Sequence, residues 1–200
     1  SVNGSLIGPP VGPYTVNITT TETGYRYGNS SDNGVTADPA YPDGNTLNIN
    51  NGGSVSSSAY GAGISSGSGA LSAADNTVNV NSGGTVGLSA MGAYVVSSDN
   101  NATAAGNFAN VTAGGTVDVS VFGAQVQSGG SGAAVANNNS VTISGTVGAS
   151  GGVYSGYATG DSTSGTATAG GNAVTINSWA NVSSMIAGGR ASAGSATASN

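Results

Sequence analysis

Four aspartates in the repetitive part of this chain, Asp75, Asp99, Asp118 and Asp161, and two arginines, Arg26 and Arg190, have the strongest claim to reaction chemistry. Two acids that cleave a glycosidic bond must sit roughly 5–9.5 Å apart. A polysaccharide-cleaving β-helix of the lyase type also leans on Arg or Lys. Here the acids share no common sequence slot and Lys is absent, so solvated surface acids are expected and no catalytic residue is assigned. The 200 residues contain no His and no Cys, which removes the usual ligands of zinc, haem and iron–sulfur sites together with the Ser-His-Asp and Cys-His nucleophiles. The calcium nonapeptide GGxGxDxUx is missing too, because Gly129-Gly130-Ser131-Gly132 is not followed by Asp. The expectation is a protein that is not an enzyme and carries no metal and no cofactor. A net charge of −6 disfavours nucleic acid and anionic membrane surfaces as partners. No apolar run approaches the roughly 18 residues of a membrane span, so no direct membrane insertion of this segment is expected.

Binding chemistry remains. Tyr60, Phe122, Tyr154 and Tyr157 are candidates for stacking on a carbohydrate, with core filling as the simpler use of the same rings. Tyr157 and Arg190 are 33 residues apart and align in successive copies of a repeat. If both point outward they form a cation–π pair, worth roughly 0.5–1 kcal/mol at an exposed site. They are the candidate binding residues, expected in a Gly-rich corner, with core or corner packing as the simpler use of both. Thr85, Thr116 and Thr146 also share a slot, the start of an ice-binding row, although Ser54 precedes them. Asn-x-Ser/Thr triplets at Asn3, Asn17, Asn29, Asn101, Asn110 and Asn181 arise by chance in so Ser-, Thr- and Asn-rich a chain. Trp179 has no counterpart in the other copies and is assigned an irregular corner without function.

Whether any of these side chains reach solvent depends on the elements that carry them. Copies begin at Asn45, Asn76, Asn107, Asn139 and Asn172, with a fainter one at Tyr14, so the starts are spaced by 31, 31, 31, 32 and 33 residues. Each copy opens on an alternating apolar pair: Leu47 and Ile49, Val78 and Val80, Val141 and Ile143, Val174 and Ile176. In the third copy Ala109 and Val111 fill those places. Alternation puts both side chains on one face of a short strand. A Gly-Gly turn follows at Gly52, Gly83 and Gly114, shortened to the single Gly145 in the fourth copy. Val55, Val86, Val117 or Val147 opens a second strand. A third apolar cluster holds Tyr60 and Ile64, Met91 and Val95, Phe122 and Val126, Val153 and Tyr154, Met185 and Ile186. The copy closes on an alanine-rich signature, A-x-A-x-x-N from Ala102 to Asn107.

Glycine at this density costs about 1 kcal/mol per residue inside a helix, while Val, Ile, Thr and Tyr suit strands. Each copy therefore reads as about three short strands joined by Gly, Ser and Asn corners. Such a unit cannot bury its apolar face alone and must stack on its neighbours. Stacking in register places equal slots ~4.8 Å apart along the axis, so like charges would lie over like charges, which accounts for charged residues making up only 5% of the chain. Aliphatic side chains such as Val78, Val111 and Val141 should pile into a continuous dry column. The Asn that starts each copy is placed to form a side-chain amide ladder or to serve as a plain turn former. The fold class is all-β, a right-handed parallel β-helix (β-solenoid) of about six coils of 31–33 residues.

All five prolines and half of the ten charged residues fall within 1–44. That segment is expected to cap the open end of the stack, as exposed strand edges require, and to grade into the first coil near Tyr14. Residues 45–200 form the repeats. Asn200 falls where another copy would begin, so the natural protein is expected to continue.

The stretches NTVNVNSGGTV, NSVTISGTVGASGGVYSGYATG and NAVTINS with IAGGRASAGSATASN resemble the β-helical passenger domains of bacterial autotransporters, the type V secreted surface proteins. The resemblance implies export through the bacterial envelope and display at the outer membrane, on the extracellular side. It implies a non-enzymatic, virulence-associated adhesin that adheres or self-associates through flat faces rich in Asn, Ser and Thr. Partners of that kind are a host or neighbouring-cell surface protein or glycan, or a second copy of the chain, held by many weak bonds. The alternatives are a stalk that presents another domain and a polysaccharide-degrading β-helix enzyme.

Overall fold

A computed structural model describes residues 13, 15–22, 29–30, 43–67 and 69–199. Every regular element among them is a strand, and strands pair in parallel with their counterparts one coil away. Five complete coils run from Asn45, and the strands Thr15–Ile18, Thr21–Glu22 and Asn29–Ser30 belong to the coil before them. The protein is a β-solenoid, as its periodicity dictates. Most of the cap expected over 1–44, Tyr14 included, lies outside the described residues. Thr15–Ile18 nevertheless pairs with Thr46–Ile49 residue for residue.

Each coil contributes four strands, where three were expected. The opening sheet stacks Thr15–Ile18, Thr46–Ile49, Thr77–Val80, Phe108–Val111, Ser140–Ile143 and Ala173–Ile176. A short sheet follows, two residues wide, through Ser54–Val55, Thr85–Val86, Thr116–Val117 and Thr146–Val147. The long sheet contains Ala59–Ser66, Ser89–Ser97, Ser120–Ser128, Gly152–Thr159 and Met185–Ser192. The unforeseen fourth is an alanine sheet of Leu71–Ala74, Ala102–Ala105, Ala133–Asn137, Thr166–Ala169 and Ser195–Ala198. Alanine is a weak strand former in isolation. Stacking overrides that preference, because Ala102, Ala104, Ala134 and Ala136 are fully buried between paired strands.

The interior is divided in two. One core joins the opening and short sheets to the first part of the long strand: Leu47, Val78, Ala109 and Val141 in one column, Ile49, Val80, Val111 and Ile143 in the next, closed by Val86, Val117, Val121 and Val153. A second core joins the alanine sheet to Ile64, Val95 and Val126. The single column expected from the sequence is thus two columns side by side and a separate second core, and Val78, Val111 and Val141 are all fully buried. Each such aliphatic side chain contributes roughly 1.5–3 kcal/mol by leaving water.

Between the cores the long strand bends inward at Gly61, Gly92 and Gly123 until its backbone touches the next coil. A Cβ at Gly92 would lie 2.8 and 2.9 Å from the backbone N and O of Phe108, and one at Gly123 would lie 3.0 Å from the Asn139 Cβ. Across this waist runs the asparagine ladder. The side-chain amides of Asn45, Asn76, Asn107 and Asn139 donate to Oδ1 of the next asparagine at 2.9, 3.0, 3.0 and 3.2 Å. Each receiving Oδ1 also takes the backbone N–H of the same donor residue, at 3.0, 3.0, 3.0 and 2.9 Å. Second bonds from Asn107, Asn139 and Asn172 reach the carbonyls of Ala73, Ala104 and Ala136. All five asparagines are buried, so the ladder alternative holds over the plain turn former.

The first corner corrects the reading of Trp179. Gly52, Gly83 and Gly114 adopt φ of 79°, 76° and 84°, and Trp179 adopts 76° in the same slot. The Ala180 N–H donates to the Asn177 carbonyl at 3.2 Å, as Gly84 does to Asn81 at 2.8 Å. A Cβ at Gly114 would meet Ser82 Oγ at 2.6 Å. The corner of the fourth coil, Ser144-Gly145-Thr146, is too short to have a residue at that level, which leaves room for the Trp179 side chain to leave the surface. It does so at 97% exposure. Left-handed backbone costs an L-residue ~1–2 kcal/mol, partly offset by the extra unfolded-state freedom of glycine. Trp179→Gly is therefore expected to stabilise the protein by about 0.5–1 kcal/mol. Urea unfolding followed by far-UV circular dichroism measures it, and an unchanged or lowered midpoint would contradict the strain.

Candidate functional site

On a regular strand, residues i and i+3 point to opposite faces. The inward bend of the long strand cancels that rule. Tyr154 and Tyr157 both stand outside the two cores, with ring centroids 5.5 Å apart, and Tyr60 and Tyr94 of successive coils approach to 5.6 Å. Tyr60, Met91, Phe122 and Tyr154 form a column of their own on the outer side of the waist, with Tyr94 and Tyr157 packed against it. Phe122 stacks on Tyr154 at 5.4 Å and meets Tyr157 edge-on at 6.0 Å. Tyr60, Phe122 and Tyr154 are buried, so core filling holds for these rings, in a small third core apart from the other two. Beside the half-buried Tyr157 this column borders a groove at the surface.

Arg190 closes the last described coil of this groove. It is the register partner of Tyr157, and its guanidinium carbon lies 5.3 Å from the Tyr157 ring centre and 5.9 Å from that of Tyr154. One guanidinium N–H donates to the Tyr154 hydroxyl at 3.3 Å. The structure thus brings the two candidate binding residues together, at the rim of the bend and not in the Gly-rich corner expected for them. A cavity of about 330 Å³ lies against them, lined further by Ser120, Phe122, Gln125, Ser150 and the Gly151-Gly152 backbone. That volume is at the lower end of the range for small-ligand sites. Gly152 is part of the construction, because a Cβ there would run into the Tyr154 ring, 2.6 Å from its hydroxyl.

Ser120, Gln125 and Ser150 were not singled out by sequence reasoning. A signal for Gln125 existed: two larger side chains bracket a small pair in Met91-Gly-Ala-Tyr94, Phe122-Gly-Ala-Gln125 and Tyr154-Ser-Gly-Tyr157. Such a bracket marks a bend that keeps both flanking residues out of the two larger cores.

The acids lie elsewhere. Asp75 occupies the corner into the opening sheet, Asp118 the corner into the long sheet, and Asp99 and Asp161 the corner into the alanine sheet, two coils apart. Asp161 accepts from the Thr163 hydroxyl at 2.6 Å, the Thr163 N–H at 2.8 Å and the Ser164 N–H at 3.0 Å. These bonds, the Thr163 hydroxyl first, hold its carboxyl down at about 2. A carboxylate so held ties down its loop and donates no proton near neutral pH. Thr85, Thr116 and Thr146 do stack in register, but the short sheet leaves them a row one residue wide. Among the described residues no cluster of three acids could hold a metal ion, and no helix is long and apolar enough to cross a membrane. Set beside known proteins, the chain matches no family model, no curated protein and no solved structure.

Proposed function

We propose that this chain is part of a non-enzymatic bacterial adhesin, displayed outside the outer membrane, that recognises a glycan or protein on a host or neighbouring cell. The observation that carries this reading is the groove at Arg190, where stacked rings, a cation and hydroxyl and amide groups converge on one cavity. The outer face of the opening sheet supports the same reading. The Asn48 side-chain amide donates to Asn17, and that of Asn79 donates to Asn48, at 2.9 and 2.8 Å. These ladders hold a flat, uncharged, hydrogen-bonding surface in fixed register.

Flat-face self-association is the weaker form of the idea. Six strands of four residues present about 350 Å² on the opening sheet, against roughly 800 Å² per partner in a stable interface. A groove with an aromatic floor concentrates binding in a few residues instead.

The test is adherence of beads coated with the chain to cultured epithelial cells and to other bacteria. The wild-type chain is expected to adhere, and the double variant Tyr157→Ala, Arg190→Gln to lose about fivefold or more of that binding with its far-UV circular dichroism unchanged. Beads that adhere to neither surface would leave the chain the role of a stalk.

A further inference from the structure

We propose that the groove at Arg190 takes a saccharide bearing a carboxylate, with the acid on the Arg190 guanidinium and an apolar sugar face against Tyr157. The inference rests on the adhesive reading above and adds the chemical class of its ligand.

Arg190 is the single cation among the described residues, in a chain of net charge −6, and it forms no ion pair with a described carboxylate. Its held position comes from the Tyr154 hydroxyl and two rings. A guanidinium is a planar fork of five N–H donors, and one bond to Tyr154 leaves donors for a carboxylate at the cavity mouth. A lone fork suits one carboxylate. A polyanion would meet the net negative charge of the chain with nothing further to offset it.

The remaining lining suits a sugar. The hydroxyls of Ser120 and Ser150 and the amide of Gln125 offer donors and acceptors to ring hydroxyls, while the half-buried Tyr157 offers an apolar face beside the buried Phe122 and Tyr154.

Calorimetric titration of the intact chain with 3′-sialyllactose and lactose, and with galacturonic acid and its methyl ester, tests the assignment. For at least one pair the acidic member is expected to bind about tenfold more tightly than its neutral counterpart. Arg190→Gln should erase that preference, and Tyr157→Ala should weaken both members, with far-UV circular dichroism unchanged in each variant. Equal binding of acidic and neutral members overturns the proposal, as does a preference that survives Arg190→Gln. Adherence of wild-type beads without binding of any acidic saccharide overturns it too, and leaves the adhesive reading standing. Acid-selective binding by a chain whose beads adhere to no cell supports the groove assignment and refutes adhesion.

Discussion

Asn107→Leu is expected to cost the solenoid about 3–5 kcal/mol, because it orphans two buried donors at once. Asn107 sits in the middle of the ladder and is fully buried. Its Oδ1 takes both the backbone and the side-chain N–H of Asn76, each at 3.0 Å. Leucine supplies no acceptor to these fully buried donors. Each buried group left unpaired costs about 1–3 kcal/mol. The bond from Asn107 to Asn139 at 3.0 Å and that to the Ala73 carbonyl at 3.1 Å are lost as well. The urea midpoint reads the change, and hydrogen exchange locates it: protection should collapse first in residues 77–80 and 108–111. Asn79→Ala, which removes a rung from the outer ladder of the same sheet, is the comparison. That rung is open to water, so its loss should stay within about 1 kcal/mol. Equal effects from the two substitutions would mean that burial does not decide the strength of a rung.

Gly92→Val is expected to destabilise by about 3 kcal/mol or more, and to spoil the groove along with the core. The new Cβ would lie 2.5 Å from the Gly123 carbonyl oxygen and 2.8 and 2.9 Å from the Phe108 N and O. All three are backbone atoms in sheets paired on both sides, so relief requires the long strand to move outward. That shift would separate Met91 from Tyr94 and open the waist onto the ladder. The fourth coil carries a side chain in this slot, Ser155, which bonds to the Gly188 carbonyl. It is followed by Gly156 where the earlier coils have alanine. Gly92→Ala should accordingly be milder than Gly92→Val, and milder still when combined with Ala93→Gly. Gly67→Ala is the control, since a Cβ there meets nothing within 4 Å, and it should be neutral or slightly stabilising. Urea midpoints across this series rank the four variants. A tolerated Gly92→Val would show that the two cores are not pressed together at this point.

The coil length, the parallel stacking and the burial of Val78, Val111 and Val141 were legible because a repeat compares the chain with itself. When Thr-Val-Asn-Val returns as Ser-Val-Thr-Ile, the retained apolar positions identify an inner face without reference to any other protein. The asparagine at each start was legible as a ladder position for the same reason. The alanine strand was obscured by its small side chains, which give no hydrophobic alternation strong enough to distinguish a strand from a loop. Trp179 was misplaced because the shortened Ser144-Gly145-Thr146 corner hides the alignment of its slot with Gly83 and Gly114.

Sequence alone determined that this protein is a stack of coils, that equal slots lie over one another, and that Tyr157 falls beside Arg190. Period and register are one-dimensional properties, and a chain that repeats displays them directly. Only the tertiary structure decided that the coil is pinched at Gly92 against Phe108, and that the aromatic column forms a third core apart from the other two. Which way a side chain points past a bend depends on how closely two backbones approach, and that distance is set by packing across the coil, between residues that no spacing along the chain connects.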